Sequence, residues 1–172
     1  MLNCELLVTH LDQGDFSFLA PAFESAGAHA PRVLQLERDG CFKGRPDALA
    51  EALTCAAFLG AMDVVEPLLA AGVSPQGGNG TGMDALHWAA NRGQLAVVRR
   101  LLSAGAAIEV QNRFGGTVLG ATVWASVNEP QPTHSAIVAL LLAAGADVTQ
   151  AAFPCGHAEI DALLEQFGAR AT

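Results

Sequence analysis

The chain has 172 residues, of which 51% are hydrophobic and 15% charged. This composition excludes a disordered chain, and the length suffices for one ordinary domain with a core, so we predict a single domain over residues 1–172. No apolar run approaches the roughly 18 residues of a membrane span, which argues against a membrane as a partner.

Acidic residues outnumber basic residues by 17 to 9, and the formal net charge is −8. Binding to a phosphate backbone needs several convergent cations, so this balance argues against nucleic acid as a partner. It fits a protein partner with a basic surface.

The N-terminal stretch MLNCELLVTHLDQGDF has acidic residues where a secretory signal peptide has a basic region and an unbroken apolar run, so we expect a cytoplasmic protein. The four cysteines, Cys4, Cys41, Cys55 and Cys155, are widely spaced and include no CxxC pair. In a cytoplasmic chain this pattern predicts free, mostly buried thiols rather than disulfides or zinc ligands. We expect no metal or other cofactor.

Two segments precede the regular part of the chain. GDFSFLAPAF at 14–23 resembles GAMDVVEPLL at 60–69, with a proline seven residues after the glycine in each. Residues 4–28 are therefore interpreted as a diverged first unit of a repeat. In residues 29–46, an Asp-Gly pair between extended flanks is a hairpin signal, so this segment is predicted to form an enlarged hairpin loop.

The central part of the chain repeats with a period of 33, as Leu53, Leu86 and Leu119 show. ALTCAAFLGAMDVVEPLLAAGV aligns without a gap with ALHWAANRGQLAVVRRLLSAGA. The third unit is longer by seven residues, inserted between Trp124 and His134. The predicted units are 47–79, 80–112, 113–150 with an insertion near 127–133, and a truncated C-terminal cap at 151–169.

Each unit is predicted to form two helices and a loop. Small residues in the first helix, such as Ala89 and Ala90, let neighbouring helices approach closely. Gly93 then ends this helix, and Gly105 and Gly145 end second helices, because the turns need a residue free to adopt positive φ. One unit cannot bury its apolar face alone, so the core forms only when units stack.

MDALHWAANRGQLAVVRRLLSAGAAIEVQNRFGGT resembles an ankyrin repeat, whose signature is T-P-L-H-x-A-A, then G, then V-V-x-x-L-L-x-x-G-A. An Asp-Ala pair replaces the Thr-Pro pair, although Asp84 is a good N-cap. Leu86 matches a core position and His87 the family's hydrogen-bonding histidine, whereas Thr117 stands in a unit without that histidine. Over residues 47–150, the resemblance implies an all-α solenoid of stacked helix–turn–helix units joined by β-hairpin-like loops.

Ankyrin repeats in general bind other proteins and are not enzymes, so the resemblance implies a non-enzymatic interaction module. Its concave face is built from hairpin tips and the exposed sides of first helices. Register and the insertion give the candidate contact residues Phe58, Thr81, Met83, Asn91, Arg92, Arg113, Phe114, Trp124 and Glu129. The candidate structural residues are Leu86, His87, Gly93, Gly105, Thr117 and Gly145.

Two of these contact residues have an alternative interpretation. The 29–46 loop could cover Phe58, and the insertion could fold back over Trp124. The insertion itself is predicted to extend the first helix and then break it at its two prolines. It is either a specificity element or a tolerated surface loop.

No pattern of residues indicates catalysis. The histidines do not form a nucleophile–base–orienter set, no serine stands in a G-x-S-x-G elbow, and GGNGTG lacks the lysine of a P-loop. Two roles remain open for a binding protein, a general adaptor or a dedicated inhibitor such as a bacterial immunity protein that blocks a toxin. The Ala- and Gly-rich, small and acidic chain favours a bacterial source, and we expect a monomer.

Overall fold

The structure is a computed structural model that describes residues 2–27, 29–77, 80 and 82–171. Over these residues the chain forms ten α-helices and one short 3-10 turn, with no β-strand, which confirms the all-α repeat fold. The helices are α1 Cys4–Gln13, α2 Phe16–Phe23, α3 Arg32–Arg38, α4 Pro46–Leu59, α5 Met62–Ala70, α6 Ala85–Asn91, α7 Leu95–Ser103, α8 Val118–Asn128, α9 His134–Ala143 and α10 Ala158–Gln166, with the 3-10 turn at Val148–Gln150. No helix in the described ranges is both long enough and apolar enough to cross a membrane.

The first helices α4, α6 and α8 form one layer of the stack. Each packs on the next, and each also packs on its own second helix, α5, α7 or α9. The contact surface consists of small side chains, because Ala52, Ala56 and Ala89 are fully buried. Leu53 and Leu86, one period apart, are also fully buried, as predicted for Leu86. The core therefore runs along the stack.

Glycine ends the helices at the predicted places. Gly93 has φ +72°, Gly105 φ +81° and Gly145 φ +98°, all in the left-handed region. Gly93 is also crowded, since a Cβ there would lie 2.7 Å from Gln131 Cβ and 2.7 Å from Thr133 Oγ1. A Cβ on Gly105 would meet no atom within 4 Å.

The hairpin predicted at Asp39-Gly40 is wrong. Residues 32–38 form helix α3, which begins after Pro31 and buries Val33, Leu34 and Leu36. A strand would point Val33 and Leu34 to opposite faces, whereas a helix can bury both against one neighbour. The Asp-Gly pair ends this helix instead of turning a hairpin, since Gly40 is left-handed and the N–H after it bonds to a carbonyl of the last turn.

Cys4 and Cys41 form a disulfide bond, so the prediction of free thiols is wrong for this pair. The fold brings the start of α1 to the turn after α3, with a Cα–Cα distance of 5.4 Å. Cys55 is a buried free thiol and Cys155 a half-buried one. Disulfides are typical of oxidising compartments, so the expectation of a cytoplasmic location rests on the N-terminal stretch alone.

Reducing the disulfide should destabilise the protein. The bond closes a loop with a sequence separation of 37. The chain-entropy model gives about 4 kcal/mol for such a loop. Urea unfolding of the native chain with and without dithiothreitol, and of the Cys4→Ser/Cys41→Ser variant, measures this loss. Dithiothreitol should leave the variant unchanged, and an equal free energy of unfolding for the oxidised and reduced native chain would contradict the prediction.

Gly93→Ala should cost more stability than Gly105→Ala. Both substitutions place a Cβ on a left-handed residue, at a cost of about 1–2 kcal/mol each. Only Gly93→Ala also forces the 131–133 segment to move, so we expect at least about 1 kcal/mol more destabilisation. Urea unfolding of the two variants side by side measures the difference, and equal losses would show that the contact with residues 131–133 is unimportant.

Candidate protein-binding surface

His87 joins the start of its own helix to the loop of the next unit. Asp84 is the N-cap of α6, and its Oδ1 accepts from the backbone N–H of His87 at 2.9 Å. The His87 ring is buried, with Nδ1 2.9 Å from the same Asp84 Oδ1 and Nε2 3.2 Å from the carbonyl oxygen of Gly116. The resemblance implied a hydrogen-bonding histidine at this position, and the two ring contacts are to the N-cap of its own helix and to the loop of the following unit.

The other first helices make this junction differently. In α4, Glu51 is buried, and its Oε1 accepts from the N–H of Gly80 in the following loop. In α8, the N-cap Thr117 accepts from the N–H of Gly120 at 3.2 Å. Because Gly120 has no side chain, the backbone oxygen of Gln150 approaches it, and a Cβ would lie 2.5 Å from that atom.

A mainly apolar cleft of about 430 Å³ opens beside the His87 junction. It lies between the end of α6, the turn at 112–116 and α8. Its lining residues are Met83, Asn91, Asn112, Phe114, Gly116, Gly120, Ala121 and Trp124. Among the predicted contact residues, Met83, Asn91, Phe114 and Trp124 are thus brought together at one site.

The two aromatic side chains that line the cleft are exposed, and hydrogen bonds fix the turn that carries one of them. Phe114 is 77% exposed and Trp124 55% exposed, so the insertion does not cover the tryptophan. Asn112 Oδ1 accepts from the N–H groups of Phe114 and Gly116 at 2.9 and 3.0 Å, which fixes the turn that carries the phenylalanine. Met83 is only 8% exposed and contributes to the inner wall.

A family model for ankyrin repeats, in three copies, matches residues 53–152. This match covers more than half of the chain. The chain belongs to the ankyrin-repeat family. A search of the curated proteins finds no match. The matched range contains the second half of α4, all of α5 to α9, and the whole cleft.

Phe58, on the first ankyrin helix α4, is half-buried in an aromatic cluster. Its ring contacts the rings of Phe16 and Trp88 edge-on, with centroid distances of 5.6 and 5.2 Å. The guanidinium carbon of Arg92 lies 4.9 Å from the Phe58 centroid. The contacts on this ring thus come from α2, from α6 and from the residue after α6.

The insertion extends the ankyrin helix α8 to Asn128 and then returns to the stack. His134 is buried, and its Nδ1 accepts from the N–H of Gln131 at 3.1 Å. Its Nε2 therefore carries the proton and donates to the carbonyl oxygen of Asn91 at 2.9 Å. This contact was not predicted from the sequence, because the insertion takes His134 out of the register of the repeat.

The remaining predicted contact residues lie outside the cleft lining. Glu129 is exposed at the end of α8. Arg113 is exposed, with its guanidinium carbon 5.4 Å from the centroid of Phe114 and its N–H donating to the Gly82 carbonyl at 2.9 Å. Thr81 lies outside the described residues.

Cys155, in the C-terminal unit, is a free and half-buried cysteine close to His157 and Asp161. Asp161 accepts from the backbone N–H groups of Cys155 and Gly156 at 2.7 and 3.1 Å, so it fixes a turn. Burial is the main cause that raises the pKa of the Cys155 thiol, which is the opposite of what an activated nucleophile needs. Nor do the described residues contain a group of three or more His, Cys, Asp or Glu placed to hold a metal.

Glu51→Gln should change how stability depends on pH. Burial, with smaller contributions from Asp12 and Asp47, raises the pKa of Glu51 above 4.5 in the folded chain, against the opposing bond from Gly80. The folded state therefore binds the proton more tightly than the unfolded state, and this group stabilises the fold increasingly as pH falls through its raised pKa towards 4.5.

The measurement is urea unfolding of the native chain and the variant from pH 8 to about pH 4.5. The free energy of unfolding of the native chain minus that of Glu51→Gln should rise as pH falls. Glu129→Gln is the control, because its carboxylate is already in water in the folded state. A difference that is constant with pH, or that falls, would contradict the prediction.

Proposed function

We propose that this ankyrin-repeat protein binds another protein through its concave face and hairpin tips, on a surface from Met83 through Phe114 to Trp124. The observation that supports the proposal is the cleft between two exposed aromatic side chains held on fixed backbone. Aromatic and arginine side chains are enriched in the energetically dominant parts of interfaces, and Arg92 and Arg113 adjoin this cleft in sequence. We propose no catalytic activity for it.

Two biological roles follow from binding of this kind. One is a general adaptor, and the other is a dedicated inhibitor such as a bacterial immunity protein that blocks a toxin or another enzyme. The net charge of −8 supports a partner whose overall surface is basic, because opposite net charges speed the encounter. We propose a cytoplasmic, bacterial monomer as the setting.

Co-expression separates the two roles. If the protein is a dedicated inhibitor, its gene should lie beside that of a toxin, and its expression should rescue cells that produce this toxin. A Phe114→Ala/Trp124→Ala variant should fail to rescue. An adaptor would have no such neighbour and give no rescue.

Replacing either cleft aromatic should weaken binding of the native partner. Phe114→Ala and Trp124→Ala should each cost about 2 kcal/mol or more, or roughly 30-fold in Kd, if they anchor the interface. The partner is first captured from the native cell by affinity purification, and its affinity for each purified variant is then measured by calorimetry.

Phe18→Ala is the matched control, because Phe18 is 61% exposed and lies on α2, outside the cleft. Its affinity should equal that of the native chain. If Phe114→Ala and Trp124→Ala fold normally and bind with unchanged affinity, the binding surface lies elsewhere.

A further inference from the structure

We infer that the cleft receives one large apolar side chain from an extended, acidic segment of the partner, and that Arg92 and Arg113 bind the carboxylates beside that side chain. This inference rests on the proposed function and adds the chemistry of the partner. It concerns the contact itself and differs from the basic overall surface proposed above.

The lining of the cleft determines the kind of side chain that fits. None of its residues is charged, and its walls are Phe114, Trp124 and Met83. Three further lining residues, Gly116, Gly120 and Ala121, have little or no side chain and so leave the space open. The volume of about 430 Å³ lies within the range of sites that enclose a ligand group, so the space suits a large aliphatic or an aromatic side chain.

The polar groups of the lining favour a peptide segment. Asn112 Oδ1 is already bonded to two backbone N–H groups, whereas its Nδ2 has no hydrogen-bond partner among the described residues. Asn91 also lines the cleft, and the bond from His134 to the Asn91 carbonyl fixes its backbone. Carboxamides can bond to both the N–H and the C=O groups of an extended main chain. They can therefore hold the partner segment that carries the large apolar side chain, which we call the anchor.

The charges beside the cleft select the residues that flank the anchor. Arg92 directly follows the lining residue Asn91, and Arg113 lies between the lining residues Asn112 and Phe114. Both arginines are exposed. The guanidinium carbon of Arg113 lies 5.4 Å from the centroid of the cleft residue Phe114, whereas that of Arg92 lies over Phe58 of α4, which does not line the cleft. The described residues provide neither with a carboxylate in an ion pair, whereas the half-buried Arg100 bonds to Glu66 at 2.8 Å.

The local charge and the net charge act over different distances. At physiological ionic strength exposed charges are screened beyond about 8 Å, so the chain's many distant carboxylates contribute little at the cleft. A guanidinium pairs with a carboxylate through two parallel hydrogen bonds, and stacking on a ring fixes its plane. We therefore expect acidic residues next to the apolar side chain of the partner, where Arg92 and Arg113 can bind their carboxylates.

A peptide library tests the inference directly. A display library of random peptides of roughly twelve residues is selected on the full chain at physiological salt. We expect the enriched peptides to share one large apolar residue with Asp or Glu within three positions of it. The Kd of individual synthetic peptides is then measured by fluorescence anisotropy.

Variants locate the bound peptide. Ala121→Trp fills the cleft from the half-exposed face of α8 and should weaken binding about tenfold or more, whereas Phe18→Ala should change it by less than about twofold. The Arg92→Glu/Arg113→Glu variant should bind the acidic peptides about tenfold or more weakly than the native chain does. A library selected on this variant should be enriched in peptides with Lys or Arg beside the apolar residue. Circular dichroism checks each fold, and Phe114→Ala replaces Ala121→Trp if the latter does not fold.

The outcomes separate this inference from the proposed function. Suppose that the enriched peptides have neutral or basic residues beside the apolar one and still lose binding to the Ala121→Trp variant. This result would overturn the inference of an acidic segment but would agree with the proposed binding surface. Enriched peptides that are insensitive to Ala121→Trp and Phe114→Ala, or a library with no enriched peptide, would also overturn the inference. The proposed function fails separately, if the native partner's affinity is unchanged by Phe114→Ala and Trp124→Ala.

Discussion

Close packing between successive first helices is the constraint on which the rest of the structure depends. Buried alanines on α4 and α6 allow these helices to lie side by side, and a larger side chain there would push them apart. Because the helices are close, the loop after each unit comes within hydrogen-bonding distance of the preceding first helix. The bonds from His87 to Gly116 and from Gly80 to Glu51 depend on that spacing. The cleft depends on it too, since residues of the 112–116 loop and of α8 line it.

The repeat and its local rules could be predicted from the sequence. A period of 33 sets the register, and within that register Asp84 caps a helix, His87 bonds to a loop and Gly93 ends a turn. Each of these roles depends on residues close in sequence or one period away. Register named Phe114 and Trp124 as candidate contact residues but left open whether the insertion covers Trp124, and the structure shows both exposed in one cleft.

Features that depend on contacts outside the repeat register could not be predicted. Cys4 and Cys41 meet because α1 packs near the end of α3, and neither helix has a period-related partner that would reveal this contact. Helix α3 was mistaken for a hairpin because glycine after aspartate serves both a tight turn and a helix end. The bond between His134 and Asn91 was missed because the insertion shifts the register between them. The packing of Phe16 on Phe58 was not predicted either, because Phe16 lies in the diverged first unit.

The disulfide gives the two ends of the solenoid unequal resistance to unravelling. A stack in which each unit contacts only its neighbours loses structure from its termini inwards. At the N-terminal end, α1 cannot separate from the stack on its own, because it is covalently joined to the turn that leads into α4. At the other end, α10 packs mainly on α9 and has no such restraint. Disassembly is therefore expected to proceed in one direction, from α10 towards α4, and the cleft between α6 and α8 lies midway along that route.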